Sequence, residues 1–222
     1  MKGKEVKEAK GWDYLSLSLL AFGGLGLEVL LALLIEPMLF GRQMQDWNTT
    51  QNIIHWILTC IAWGIMTLLL VRDSKKNYGF DVLGDTKKLR TWQWFAIVVC
   101  VVISLIMSYI DWNGLKVVKE FQYNGWLKFI FQYIYYVFET ALVMLIIIFG
   151  QKAGEKWFKN VNVPYGGIVV ALTWGLVHTL TKGDLMVGIG CAVSGFLYSV
   201  VYLLANRNVK IAFHFIAIMF IL

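Results

Sequence analysis

The sequence predicts an all-α fold: a polytopic transmembrane helical bundle of about seven spanning helices, with the amino terminus in the cytoplasm. Of the 222 residues, 59% are apolar and only 15% are charged, whereas about a quarter of a soluble domain is charged. Four long stretches contain no Asp, Glu, Lys or Arg: residues 47–71, 91–110, 160–181 and 185–206. Each approaches or exceeds the roughly 20 residues that a helix needs to cross a hydrocarbon core of about 30 Å. We therefore expect a single integral membrane domain over residues 1–222.

Seven apolar segments are the candidate spanning helices. They cover residues 14–35, 52–71, 93–110, 127–149, 165–181, 185–205 and 208–222. The first follows a basic segment, as a signal peptide does, but it continues to Ile35 without a small-residue cleavage site, so a retained helix is expected. The last is short, because the 12 residues that follow Lys210 form only about 18 Å of helix.

Two connections carry further signals. Residues 72–90 form the longest one, and their glycines, aspartates and lysines predict an ordered turn near the lipid headgroups. In residues 114–126, the side chains of Leu115, Val118 and Phe121 fall roughly on one face, which indicates a short interfacial helix.

Basic residues indicate the orientation of the helices, since cytoplasmic loops carry an excess of Lys and Arg. With the amino terminus inside, 15 basic residues lie in cytoplasmic segments and 4 lie on the opposite side. Those four are Arg42, Lys116, Lys119 and Lys182. The split predicts a multi-pass protein of the cell membrane with membrane lipids as partners. The net charge of +6 then reflects topology and anionic headgroups, so no nucleic-acid partner is expected.

Cysteine usage adds no covalent constraint. Cys60, Cys100 and Cys191 fall in three different predicted helices, and no disulfide framework can be read from them. We expect them to be small buried apolar residues.

Four ionisable side chains fall well inside predicted helices: Glu28, Glu139, His178 and His214. Such groups are costly in lipid and usually mark a pathway or a site. His55 lies only a few residues into the second helix, so we expect it near the interface in a structural role. For Glu28 three roles stay open: completing a site, gating substrate entry, or capping a helix break near the neighbouring glycines.

Glu139, His178 and His214 are the predicted catalytic residues. Glu139 lies near the middle of its helix and needs a partner, and the two histidines lie on later helices. A carboxylate that faces two imidazoles satisfies three buried polar groups and forms a general base that can take a proton from water. The same three side chains are also suitable metal ligands with one open position. No cofactor is expected. The alternative is that these three side chains bind a divalent metal such as zinc.

The order of these residues resembles the CPBP/Abi family of intramembrane proteases, the CAAX-protease and bacteriocin-processing family. That family carries Glu-Glu-x-x-x-Arg, then Phe-x-x-x-His, then His-x-x-x-Asn on successive helices. Here "FETALVM" (138–144), "WGLVH" (174–178) and "FHFIAI" (213–218) stand in that order. The similarity covers a CPBP/Abi-like core over residues 127–222.

The resemblance implies an intramembrane endopeptidase that hydrolyses membrane-associated peptides. Water would be activated by Glu139, His178 would share or orient the proton, and His214 would stabilise the oxyanion. The sequence departs from the family at Thr140, Met144 and Ile218, where the second glutamate, the arginine and the asparagine would stand.

Two other functions remain open from the sequence. A catalytically inactive CPBP-type scaffold or bacteriocin-immunity protein that binds a membrane partner agrees with the three departures. A small transporter would use Glu28 and Glu139 as proton-coupling carboxylates, but the chain shows no inverted repeat of the kind common in transporters.

Overall fold

The computed structural model describes residues 8–84 and 87–222, and over these residues it is helical with no strand. We number the helices in chain order. They are α1 (Gly11–Phe40), α2 (Thr49–Tyr78), α3 (Thr91–Asp111), α4 (Lys116–Phe158), α5 (165–182), α6 (Leu185–Leu204) and α7 (Val209–Ile221). A 3₁₀ turn, Met44–Asp46, lies between α1 and α2.

Five of these helices, α1, α2, α3, α4 and α6, are long and apolar enough to cross a membrane, and α7 is a shorter apolar helix. The all-helical fold class is therefore confirmed, and the structure is compatible with a multi-pass membrane protein. Helix α5 consists of two α-helical pieces, Tyr165–Val170 and Leu176–Lys182, joined by the π-helical segment Ala171–Gly175.

Several helices extend beyond the predicted limits. Helix α2 begins after Asn48, whose side chain accepts a hydrogen bond of 2.9 Å from the Gln51 amide, while the Gln51 side chain accepts one of 2.9 Å from the Asn48 amide. This reciprocal cap supplies partners to the free amides of the first turn. The helix ends at Tyr78, before Gly79 in the left-handed conformation (φ 63°). The first residues of the predicted 72–90 connection are therefore helical; residues 85 and 86 of that connection lie outside the described residues.

Helix α1 continues to Phe40, past the predicted end at Ile35. It contains a π-helical turn, Leu31–Ile35, and its last α-helical piece, Glu36–Phe40, has Pro37 in the first turn. Proline lacks the amide that would bond the carbonyl four residues earlier in a continuous helix, and the π-helical turn directly before this piece is where that bonding pattern changes. The extension brings Glu36, which is fully buried, into the helix.

Helix α4 is bent sharply at Gly125, which has φ 67° and ψ 170°. The short segment before Gly125 corresponds to the predicted interfacial helix, and the long segment after it runs to Phe158. Every residue from 142 to 151 is buried, and α1, α2, α5 and α7 all pack against α4. The second segment of α4 is thus the central helix of the bundle.

The helices run antiparallel to their neighbours in the chain, which gives the bundle two ends. The Trp47 end holds the connections 41–48, 112–115 and 183–184, and the Arg207 end holds residues 79–84, 87–90, 159–164 and 205–208. At the Arg207 end, the side chain of Arg207 donates to Glu155 Oε1 and to the Val161 carbonyl. This contact joins the α6–α7 turn to α4.

Glycine allows α5 to approach α4 closely. A Cβ on Gly166 would lie 2.2 Å from the carbonyl oxygen of Ile147. This separation is too short for any side chain at that position. The two backbones are therefore in direct contact, as is common where small residues line a helix interface in membranes. This contact sets the position of the α5 side chains one to three turns further along.

The three cysteines are free, with Cys60 and Cys100 buried and Cys191 half-buried. Their predicted role as small apolar packing residues agrees with this burial.

Candidate functional site

Glu139 and Trp174 form a direct contact between α4 and α5. The indole Nε1 of Trp174 donates a hydrogen bond of 3.0 Å to Oε1 of Glu139. Trp174 is only 6% exposed, and its ring also packs against Tyr198 and Phe220. The carboxyl group of Glu139 is therefore held at one defined position inside the bundle.

His178 contacts the same tryptophan, one turn further along α5. Its Nδ1 is 2.7 Å from the backbone carbonyl of Trp174, and the two rings meet edge to face with centroids 4.6 Å apart. The bond to the carbonyl places the proton on Nδ1, which leaves Nε2 as an acceptor in the neutral ring. Trp174 is thus shared by the carboxyl group of Glu139 and the imidazole of His178.

A second carboxyl group, that of Glu28, lies beside this pair. The hydroxyl of Tyr135 donates a hydrogen bond of 2.8 Å to Glu28 Oε1, and Tyr135 precedes Glu139 by four residues on α4. Residues four apart lie on the same helix face. Glu28 is close enough to interact electrostatically with both Glu139 and His178. Helix α1 therefore contributes an acidic group to the region around Glu139.

His55 completes a chain of polar groups with the carboxyl groups of α1. Its Nδ1 is 2.7 Å from Glu36 Oε2 and its Nε2 is 3.5 Å from Glu28 Oε1. The side chain of His55 is 2% exposed and that of Glu36 is fully buried. His55 is therefore buried between two carboxyl groups, and its expected position near the interface and its structural role stay predictions.

The π-helical turn of α1 explains how one helix presents two carboxyl groups to one histidine. Glu28 and Glu36 are eight residues apart, so in a regular helix at about 100° per residue they would differ in direction by about 80°. A π turn adds one residue without adding a turn. The eight residues then turn the helix only as far as about seven residues of a regular helix would. The directions of the two carboxyl groups therefore differ by only about 20°. Both carboxyl groups therefore face α2.

The structure does not bring His214 to Glu139 or to His178. The His214 ring is exposed, and its Nδ1 is 2.6 Å from the carbonyl of Lys210 in its own helix. The face of α7 that packs inward is formed by Ala212, Ile216, Met219 and Phe220. Phe220, not His214, contacts Trp174, and His214 lies six residues or about 9 Å of helix before it.

The alternative use of Glu139, His178 and His214 as metal ligands finds no support in this geometry. Within residues 8–84 and 87–222, no three side chains of His, Cys, Asp or Glu are grouped so that they can hold a metal ion. Whether Glu139 and His178 act on a substrate stays a prediction.

The three positions that differ from the CPBP/Abi pattern have separate surroundings. The Thr140 hydroxyl donates to the Tyr136 carbonyl at 2.8 Å, and Met144 is buried in the core at 2% exposure. Ile218 is 40% exposed and lies one turn after His214 on the same outward face of α7. The third motif of the pattern therefore points away from Trp174.

An apolar groove lies beside the site and not in it. It has a volume of about 410 Å³ and lies between α2 and α4. Its lining is apolar, apart from the polar edges of Trp56 and Cys60, and it includes Phe138, the neighbour of Glu139.

Comparison with known protein-family models, curated proteins and solved structures gives no match to this chain. The resemblance to the CPBP/Abi family therefore depends on the order of the residues alone.

The sequence analysis missed Glu36 and Tyr135 and undervalued His55. Glu36 lies one residue beyond the predicted end of the first helix and next to a proline, so it falls outside the set of intramembrane groups. Its separation from Glu28 is not the three or four residues that place two side chains next to each other on one helix face. A signal was nevertheless present: two acidic residues near the end of one apolar helix and a histidine near the start of the next.

Proposed function

We propose that this protein is an intramembrane peptide hydrolase of the cell membrane that acts on membrane-associated peptides. The observation that carries the proposal is the contact of Trp174 with both Glu139 and His178. It supports a site in which a held carboxyl group and an imidazole both contact one buried tryptophan. In such a pair the carboxyl group acts first as the base that takes a proton from water and then as the acid that protonates the leaving nitrogen, while the imidazole orients the water.

The proposed topology has seven crossings with the amino terminus in the cytoplasm. It rests on the excess of basic residues in the connections of the Arg207 end and on the antiparallel order of the helices. Glu139 and Trp174 then lie between the two membrane surfaces, in the part of the bundle nearer the outer one.

In the proposed reaction, Glu139 takes a proton from a water molecule as the water oxygen attacks the peptide carbonyl. The imidazole of His178 accepts a hydrogen bond from that water at Nε2 and orients it, and the carboxylic acid of Glu139 then gives the proton to the leaving nitrogen as the C–N bond breaks. His214 has no part in this scheme, because it is exposed on the outer face of α7. No metal or other cofactor is invoked.

The test uses purified protein in lipid nanodiscs with synthetic peptides that carry an apolar segment of about 20 residues, the length that crosses a bilayer. Products are read by mass spectrometry for the wild type, Glu139→Gln, His178→Ala and the matched control His214→Ala. We expect cleavage by the wild type and by His214→Ala, and loss of product in the other two. Equal product from all four proteins would overturn the proposal.

A non-catalytic scaffold that binds a membrane partner is the second candidate. It is favoured by the outward direction of His214 and Ile218 and by the burial of Met144 where the family has arginine. The same peptides distinguish it from the hydrolase. Equal binding to wild type and to Glu139→Gln, with no cleavage by either, is the result that this candidate predicts.

A further inference from the structure

A second set of acid–base groups lies between α1, α2 and α4, separate from the Glu139–Trp174–His178 contact. We call it the His55 cluster; it consists of Glu36, His55, Glu28 and Tyr135. Three hydrogen-bond or ion-pair contacts join its members in a line, at 2.7 Å (Glu36 to His55), 3.5 Å (His55 to Glu28) and 2.8 Å (Tyr135 to Glu28).

Two atoms of the His55 cluster lack a hydrogen-bond partner among the described residues: Glu36 Oε1 and His55 Nε2. Both belong to side chains that are 2% exposed or less. Buried polar atoms are nearly always paired, so an unpaired atom calls for a functional or structural reason. Here the unpaired nitrogen is directed at the carboxyl group of Glu28.

The cluster is closed at the Trp47 end. The Trp47 ring lies over the His55 ring, with centroids 5.3 Å apart, and Phe40 packs edge to face on Trp47. Trp47 is itself only 8% exposed. Of the three members of the His55 cluster on α1 and α2, only Glu28 has a substantially exposed side chain, at 29%. Exchange with the surroundings therefore occurs through Glu28, on the side of Tyr135 and Glu139.

We propose that Glu36, His55 and Glu28 form a proton-transfer site in which His55 passes a proton between the two carboxyl groups. In one state Glu36 is a neutral acid, His55 carries its proton on Nε2, and Glu28 is a carboxylate. The transfer breaks the Glu36 O–H bond and forms Nδ1–H, and it breaks Nε2–H and forms an O–H bond on Glu28. In the other state Glu36 is the carboxylate and Glu28 is the neutral acid.

Charge conservation makes this transfer feasible in a dry interior. The three side chains hold two protons and one negative charge in both states, and the imidazole is neutral before and after. No additional charge is created in a region of low dielectric, where an isolated charge is very costly. The Tyr135 hydroxyl donates to the Glu28 carboxylate in the first state and remains a partner of the neutral acid in the second.

The consequence for the protein is a movement of negative charge from one carboxyl group of α1 to the other. Glu36 and Glu28 contact the two nitrogens of the same imidazole ring, at 2.7 Å and 3.5 Å, so the charge moves across one ring and its two contacts. Glu28 interacts electrostatically with Glu139 and His178, so the state of the cluster changes the charge that these two groups face. The other charged groups near Glu139 are Lys116 and Lys182. The transfer itself does not depend on the hydrolase proposal.

The experiment is nitrogen NMR of the full chain in nanodiscs with ¹⁵N-labelled histidine, which needs no substrate. The chain has three histidines, and His178→Asn and His214→Asn assign two of the three rings. The proposal predicts that the wild-type His55 ring exchanges between its two neutral tautomers, so that both nitrogens show averaged shifts. In Glu28→Gln and in Glu36→Gln the exchange partner is lost, and we expect a single tautomer.

Glu120→Gln is the matched control, because Glu120 is also a buried glutamate but accepts from Tyr133 and Tyr136 instead of a histidine. It should leave the averaged His55 shifts unchanged, and a cooperative thermal unfolding transition reports that each variant is folded. A wild-type His55 ring with the proton fixed on Nδ1, unaffected by Glu28→Gln, would show an ordinary structural hydrogen bond and overturn the proposal. If Glu28→Gln does not fold, the wild-type tautomer and Glu36→Gln decide the outcome.

Discussion

The indole of Trp174 holds the carboxyl group of Glu139 through one hydrogen bond of 3.0 Å, and this bond joins α5 to the central helix α4. Replacing Trp174 by phenylalanine keeps a ring in the core but removes the donor. A buried acceptor that loses its partner costs about 1–3 kcal/mol. We therefore expect Trp174→Phe to lower the free energy of unfolding by about 2 kcal/mol, measured by thermal unfolding in detergent. Trp92→Phe, at a position that is 59% exposed, is the control, and equal melting temperatures would contradict the prediction.

His55 and His214 should differ strongly in their effect on stability. His55→Ala leaves Glu36 buried without its partner, and breaking a buried pair costs about 3–5 kcal/mol. His214→Ala removes an exposed ring, and exposed substitutions usually stay within about 0.5 kcal/mol. Denaturant or thermal unfolding of the two variants under the same conditions measures the difference. Similar losses for both would show that His214, too, has a buried partner in solution.

The contact of Gly166 with Ile147 predicts that α5 tolerates no side chain there. A Cβ would be 2.2 Å from a backbone oxygen, so Gly166→Ala must separate α5 from α4. Overpacking of this kind typically costs about 1–3 kcal/mol. Gly190→Ala is the matched control, since nothing lies within 4 Å of its added Cβ and alanine favours helix by roughly 0.5–1 kcal/mol. The melting temperatures should shift in opposite directions, and a fall of similar size in both would contradict the close approach.

A comparison of Gly125 with Gly23 distinguishes the effect of backbone strain from the effect of side-chain packing. Nothing lies within 4 Å of a Cβ at Gly125 or at Gly23, yet only Gly125 has a positive φ, of 67° with ψ 170°. That region is essentially restricted to glycine and costs other residues about 1–3 kcal/mol. Gly125→Ala should therefore destabilise the protein while Gly23→Ala is neutral or stabilising. A neutral Gly125→Ala would mean that α4 continues without the bend.

The contact at the Arg207 end should depend on the guanidinium geometry. Arg207 Nε donates to Glu155 Oε1 at 2.9 Å, and the same side chain donates to the Val161 carbonyl at 2.6 Å. Lysine keeps the charge but cannot make both bonds in the same plane. We expect Arg207→Lys to cost about 2 kcal/mol, typical of a hydrogen bond to a charged group. Arg72→Lys, at an exposed position, should have no measurable effect in the same unfolding assay, and equal stability of the two variants would count against the contact.

Much of the fold could be predicted from the sequence, but the helix limits could not. The apolar, charge-free runs predicted helices that the structure contains. The extensions of α1 to Phe40 and of α2 to Tyr78 were missed because charged residues and a proline normally mark the end of a span. The left-handed glycines Gly41 and Gly79 are where these helices end.

The candidate site was predictable only in part. Glu139 and His178 were selected because ionisable groups are costly in an apolar helix, and the structure places both of them beside Trp174. Their contact through an indole was not predictable, since Trp174 resembles an ordinary packing residue. His214 satisfied the same criterion, but its helix turns the apolar residues Ile216 and Phe220 inward and His214 outward.

The sequence by itself determined that this chain forms long apolar helices, because backbone amides and carbonyls in an apolar run must pair within their own segment. Which polar groups meet was decided only by the tertiary structure. The direction of a side chain depends on the rotation of its helix, and one π turn between Glu28 and Glu36 changes that rotation by about 100°. The partners of His55, Glu139 and His214 therefore follow from helix rotation and packing, which no spacing of residues along the chain specifies.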